Sequence, residues 1–345
     1  MRYIGSKASV IDFLVKNIQL CASPKENKIF ADLFAGTTVV SRCFKKLGYK
    51  IIANDYMTFS FVLQNAYIKI NSEPDFSNLK TIGLKNYIDV IRKLNNLEPI
   101  KGFFFNNYCC KGTKNKQFQR NYFSAENACK IDAIMIKIKN WKKMNLLTKN
   151  EEAALRASLL EAIISVANIS GTFGAFLKKD DPRKFKPLLL EPITFIQSKE
   201  THKCNNKDIF EIIDSVSGDI LYLDPPYNQR QYPPYYHMLE TVSLDDNPDI
   251  YGKTGRRHYE DKLSPFCMKS EAFDAMYKLI ERANFQHIFL SYNTEGLLSL
   301  RKITGILNDF GEVKVFFQSQ RRFKSNSNGE SPKSLKEVLF YVRKE

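Results

Sequence analysis

The run Asp219-Ile220-Leu221-Tyr222-Leu223 reads as a buried strand, and it ends at once in Asp224-Pro225-Pro226-Tyr227. Two consecutive prolines hold φ at about −65° and remove two backbone donors, so the ladder stops there. A carboxylate, a rigid turn and an aromatic ring are thereby gathered at the carboxyl edge of a sheet. The Asp224 carboxylate and a proline carbonyl can each accept a hydrogen from an amino group on a flat ring, while Tyr227 stacks on the ring's face. A strand terminator backed by a hydrophobic plug is the plainer reading of these four residues. Two further motifs, each in the expected order, weigh against it.

Strand signals recur at 29–34, 50–54, 219–224, 287–292, 313–319 and 336–343, with helical periodicity at 8–20, 38–47, 57–70, 271–284 and 295–308. Strands alternating with helices imply an α/β fold, a doubly wound and mostly parallel sheet with ligands at its carboxyl edge. The last two strands are predicted to form an antiparallel hairpin across Arg321 to Ser334. Residues from about 71 to 200 break this rhythm. Helices around 84–96, 124–146 and 151–169 follow one another there, and Phe103 to Phe123 is aromatic and basic. The segment 71–200 therefore reads as an inserted helical domain, with 1–70 and 201–345 forming the main domain.

The first supporting motif is Ile29 to Val40, which runs from a strand through a turn of small residues into a helix. Such a turn lets a cofactor approach the backbone and the helix N-terminus. The second is Lys50-Ile51-Ile52-Ala53-Asn54-Asp55, a short apolar run closed by a carboxylate. Asp55 follows Asp32 at about the distance, roughly 20 residues, at which an acid after the second strand reaches ribose hydroxyls. Gly36 is the only glycine in the turn, which argues against a dinucleotide.

Taken together, Tyr3-Ile4-Gly5-Ser6-Lys7, Asp32-Leu33-Phe34-Ala35-Gly36-Thr37 and Asp224-Pro225-Pro226-Tyr227 resemble the S-adenosylmethionine-dependent adenine-N6 DNA methyltransferases of the Dam-like D12 class. The resemblance runs from residue 2 to about 343, with little contribution from 70–200. It implies a seven-stranded, Rossmann-like methyltransferase sheet with a reversed final strand, a catalytic main domain, and target recognition in the insertion. S-adenosylmethionine is the implied cofactor. Its contacts would come from Tyr3, Gly5, Ser6 and Lys7, from Asp32, Phe34, Ala35, Gly36, Thr37 and Thr38 around the turn, from Asp55 and Tyr56, and from Asp208 and Ile209. Asp55 would hold the ribose and Asp208 the adenine. Asp224, Pro225, Pro226 and Tyr227 would be catalytic. Thr38 departs from the pattern, because many members carry a second glycine there.

Composition agrees with a large enzyme that meets a polyanion. At 345 residues and 43% hydrophobic content the chain can bury a full core. A net charge of +15 and a pI near 9.3 favour nucleic acid as partner. Seven cysteines without a Cys-x-x-Cys, and scattered His202, His237, His258 and His287, argue against a zinc site or a disulfide framework. Asp12 and Lys16 interrupt the first helix, and Arg156 and Glu161 interrupt the longest apolar one. A leader and a membrane span are therefore not expected, and the cytoplasm is the expected location.

Lys114, Lys116 and Arg120, within Lys111 to Asn121, suit phosphate and base-edge contacts. Further DNA contacts are expected from Arg230 and Tyr232 after the catalytic turn and from Arg256 and Arg257, whereas Arg321 to Lys324 reads more plainly as a solvated basic turn than as a backbone contact. An exocyclic amine is a poor nucleophile until hydrogen bonds localise its lone pair, and in a duplex it must be flipped out to be reached. Site-specific methylation of adenine N6 in double-stranded DNA is thus the expected activity. A monomer is expected, with a cognate restriction endonuclease as its functional counterpart. RNA adenine-N6 methylation, protein-glutamine methylation and a nucleic-acid-binding protein without activity are the competing readings.

Overall fold

The computed structural model describes residues 5–22, 28–320 and 335–345. Nine strands occur among them: β1 (Ile29–Asp32), β2 (Lys50–Asn54), β3 (Lys203–Asn205), β4 (Ser217–Leu223), β5 (Ile250–Tyr251), β6 (Arg256–Arg257), β7 (Asn284–Asn293), β8 (Gly311–Gln320) and β9 (Leu335–Lys344). Seven make one sheet in the order β3-β2-β1-β4-β7-β9-β8, and β5 with β6 forms a separate two-stranded ribbon. β1 pairs parallel with β2 and β4, β2 with β3, and β4 with β7. Only β9 is reversed, running antiparallel to both β7 and β8.

The chain divides into two compact units. One comprises Ser6–Gln64, Ser198–Tyr232 and Lys262–Glu345, and the other is chiefly Asn65–Gln197 with Pro233–Asp261. The stretch 233–261, placed with the main domain on sequence grounds, folds with the helical unit.

In the first unit the central strands are covered on both faces, which is why they read as continuous apolar runs. Phe30 of β1 stacks on Phe44 of the helix Val39–Lys46 at 3.8 Å on one side. Ala31, Leu33, Leu221, Leu223, Leu290 and Phe340 join a second buried cluster. Gly218 lets β4 pass close to β1, since a Cβ there would lie 2.5 Å from Ile29. The unanticipated strand is β3, whose sequence Lys-Cys-Asn pairs with β2 alone. An edge strand with one neighbour does not need an apolar run.

The helical unit is built on the helices Ala125–Lys143 and Lys149–Val166. The second opens with a capping box in which Thr148 and Glu151 satisfy each other's backbone amides. Asp132 accepts the amides of Gly102, Phe104 and Phe105 at 2.8–2.9 Å and so fixes the start of the helix Phe103–Tyr108. Residues Asn228 to His237 contain the start of a further helix, Pro233–Leu244, kinked at Tyr236. Its leading prolines suit a first turn, where amide donors lack intrahelical partners.

Candidate active site

β4 delivers Asp224 to the carboxyl edge of the sheet, beside the ends of its neighbours β1 and β7. Its carboxylate, 16% exposed, lies 2.8 Å from the Lys7 ammonium. Lys7 begins a short 3-10 turn, Lys7–Ser9, that Ser6 caps by accepting the Ala8 amide, and the preceding Gly5 has φ of 78°. The same ammonium lies 3.2 Å from Glu337 of β9, and Ser291 of β7 donates its hydroxyl to Glu337 at 2.5 Å. Burial opposes charge on Lys7, yet Asp224 and Glu337 outweigh it and hold the ammonium well above its ordinary pKa. Burial also raises Asp224, with Lys7 opposing and Glu337 adding, so that its pKa reaches about 6.

Tyr227 sits half-buried against the same cluster. Its ring centroid is 5.6 Å from the Lys7 ammonium and 5.3 Å from the Tyr292 ring. Its hydroxyl faces the Asn293 side chain, and its carbonyl accepts the Leu297 amide at 2.7 Å. The backbone bond and the two ring contacts leave the residue little freedom.

The turn after β1 is closed by β2. Asp55 accepts the Gly36 amide on one carboxylate oxygen and the Met57 amide on the other, both at 2.8 Å. Ala35 donates its amide to the Asn54 carbonyl at 2.9 Å. Gly36 has φ of 48° and Thr38 of 64°. The position at which the resemblance expects glycine is therefore left-handed, and a β-branched residue occupies it at a cost of about 1–2 kcal/mol. Thr37 is buried beside it. Asp32, 1% exposed, accepts the Ser41 hydroxyl at 2.6 Å. Burial raises its pKa, the Ser41 bond opposes, and Asp224 and Asp55 add their repulsion, bringing it to about 7. Its second oxygen and the Thr38 hydroxyl are buried without partners among the described residues.

Aromatic faces border this edge. Phe34 meets Phe266 edge-on at 5.6 Å, and Phe210 stacks on Phe266 at 6.0 Å with planes 10° apart. Asp208 caps the short helix Ile209–Ile212 by accepting the Phe210 amide at 2.8 Å, and Ile209 is buried. Lys262 reaches over the Tyr56 ring at 5.6 Å and donates to the Tyr56 carbonyl. Phe210, Phe266 and Lys262 were not singled out from the sequence. Phe210 directly follows Asp208-Ile209, but nothing local marks the other two.

Lys7, expected among the cofactor contacts, lies beside Asp224. Tyr3 and Arg321 to Lys324 lie outside the described residues. Arg120, expected on DNA, is a correction. It is 6% exposed, and its guanidinium donates to the carbonyls of Gly252, Lys253 and Asn107 at 2.9–3.3 Å, clamping the tip of the β5–β6 ribbon. Tyr108 and Tyr122 add bonds to the Gly255 and Thr254 carbonyls. Arg257 is paired with Asp246 at 2.7 Å, and Arg256 lies over the Tyr259 ring. Lys114, Lys116 and Arg230 are exposed and Tyr232 is half-buried. Among the described residues no cluster of His, Cys, Asp and Glu could hold a metal, and no helix is long and apolar enough to cross a membrane.

A seven-stranded sheet with one reversed strand, carrying carboxylates at the carboxyl ends of β1, β2 and β4, defines a Rossmann-like α/β protein of the methyltransferase type. Residues 3–306 match the D12 class N6 adenine-specific DNA methyltransferase family, and the chain belongs to it. It is 39% identical to type II methyltransferase M.FokI of Planomicrobium okeanokoites over its whole length, which is 53% of that protein. It is 39% identical to type II methyltransferase M.NlaIII of Neisseria lactamica over 94% of this chain and 93% of the relative. Modification methylase StsI of Streptococcus sanguinis is 36% identical over all of this chain and 52% of its own length. The chain thus spans about half of two of these relatives and nearly all of the third.

Proposed function

We propose that the chain methylates the N6 amino group of an adenine flipped out of duplex DNA at a specific site, with S-adenosylmethionine as methyl donor. The observation that carries this reading is the half-buried Asp224 at the end of β4, with Tyr227 fixed three residues on. Family membership supports it, and so does the net charge of +15. In the competing protein-glutamine reading, Asn usually stands where this chain has Asp224.

The edge suits the cofactor. The partnerless buried oxygens of Asp32 and Thr38, the carboxylates of Asp55 and Asp208, and the faces of Phe34 and Phe210 supply acceptors and flat apolar surface for an adenosyl group. When bound, S-adenosylmethionine supplies a methyl carbon on a sulfonium that leaves with the C–S electron pair as the amine attacks. Asp224 accepts a hydrogen bond from N6, localises its lone pair, offsets the charge that develops there and takes up the departing proton. Tyr227 stacks on the flipped base, worth about 1–3 kcal/mol against the cost of flipping. Lys114, Lys116, Arg230 and Arg256 meet phosphates. The relatives' names, type II methyltransferase and modification methylase, support a modification role with a restriction endonuclease as functional counterpart.

Duplex DNA incubated with the chain and S-adenosylmethionine, then sequenced for modified bases, tests the reading. N6-methyladenine at one recurrent sequence is expected. Methyl groups appearing only on RNA or protein would end it.

A further inference from the structure

β9 is reversed, and this sets Glu337 opposite Asn293, the last residue of β7, at the edge that bears Asp224. Glu337 is 3% exposed, with the Lys7 ammonium at 3.2 Å and the Ser291 hydroxyl at 2.5 Å. A second buried carboxylate beside an ion pair is costly, and the amine chemistry of Asp224 does not by itself call for one. One cation between two carboxylates leaves the cluster with a net negative charge. A Lys7–Asp224 pair alone would be neutral, and its ammonium would compete with an incoming amine for the Asp224 oxygens.

We propose that Glu337 is a positioning residue for methyl transfer: it draws Lys7 into a bridging position, so that Asp224 keeps an acceptor oxygen and the cluster a net negative charge toward the amine. The inference rests on Asp224 being the acceptor of that amine. The charged and titratable groups facing Asp224 are Lys7 from the N-terminal turn, Asp32 at the end of β1, Tyr222 of β4, Tyr227 after the prolines and Glu337 of β9. Of these Lys7 favours the ionised carboxylate and Glu337 opposes it.

Glu337→Gln keeps the size and removes the charge. Single-turnover methylation of duplex DNA, followed across pH beside the unaltered chain, should slow about ten-fold or more, with cofactor affinity by calorimetry held within about two-fold. Its acid limb should move to lower pH by about one unit, since losing a neighbouring negative charge lets Asp224 ionise more readily. Lys7→Met should move the limb the opposite way. Glu337→Asp should give a smaller shift in the same direction as the glutamine variant, and it decides the matter if that variant does not fold. A slowed reaction with the acid limb unmoved would show that Glu337 only packs β9, and would overturn the proposal. An unaltered chain that methylates no adenine would instead defeat the reading of function on which the proposal rests.

Discussion

The Asp55 carboxylate accepts the Gly36 amide at 2.8 Å, tying the end of β2 to the turn that follows β1. An acid expected to contact a ribose is therefore also the brace of the turn. Asp55→Ala should weaken S-adenosylmethionine binding by about 1.5–3 kcal/mol, the range for a hydrogen bond to a charged group. Calorimetry checks this, and an unchanged Kd would remove Asp55 from the cofactor site.

Asp224→Ala should abolish methyl transfer while leaving cofactor affinity within several-fold. On the proposed mechanism the active form of the unaltered chain is the ionised carboxylate. The pKa is raised to about 6, so the rate should rise as pH climbs through about 6 and fall away below it. A rate independent of pH between 5 and 7 would contradict that ionisation. Loss of cofactor binding as severe as the loss of activity would make Asp224 a cofactor ligand.

Tyr227 separates two contributions. Tyr227→Phe removes only the hydroxyl that faces Asn293 and should keep most activity. Tyr227→Ala should lose about 1–3 kcal/mol of stabilisation of the flipped base, partly recovered on DNA with a mismatch opposite the target. An inactive phenylalanine variant would show that the hydroxyl takes part in the chemistry.

Arg120 and Lys114 should behave in opposite ways. Arg120→Ala deletes a buried side chain that donates to three carbonyls and should lower stability by about 2–4 kcal/mol in thermal or denaturant unfolding. Lys114→Ala should leave the Tm unchanged and weaken DNA binding. If about six phosphates are neutralised, log affinity should fall with log salt at a slope near −5, and this variant should reduce the slope by about 0.9. A wild-type slope near zero would exclude duplex DNA as the main partner.

Much of this was legible in the sequence. β1, β2, β4 and β7 announced themselves as apolar runs because the sheet is covered on both faces, and Asp224 and Asp55 were marked by standing at strand ends. β3 was missed because Lys203-Cys204-Asn205 carries no apolar signal. The helix Pro233–Leu244 was missed because its prolines resemble a loop until they are seen in a first turn. Arg120 was assigned to DNA because a basic residue in a polar stretch does not reveal which carbonyls surround it. Glu337 could not have been found at all, since its meaning depends on Lys7, far away in the chain.

The cluster of Lys7, Asp224 and Glu337 also bears on synthesis. It joins residues far apart in the sequence, and β9 must be placed between β7 and β8 before Glu337 meets Lys7. A nascent polypeptide on the ribosome can display Asp224 and the turn after β1 long before that happens. The ion cluster around Asp224 stays incomplete until the reversed strand has emerged, so the charge that Asp224 presents at the sheet edge is among the last features of the fold to be set.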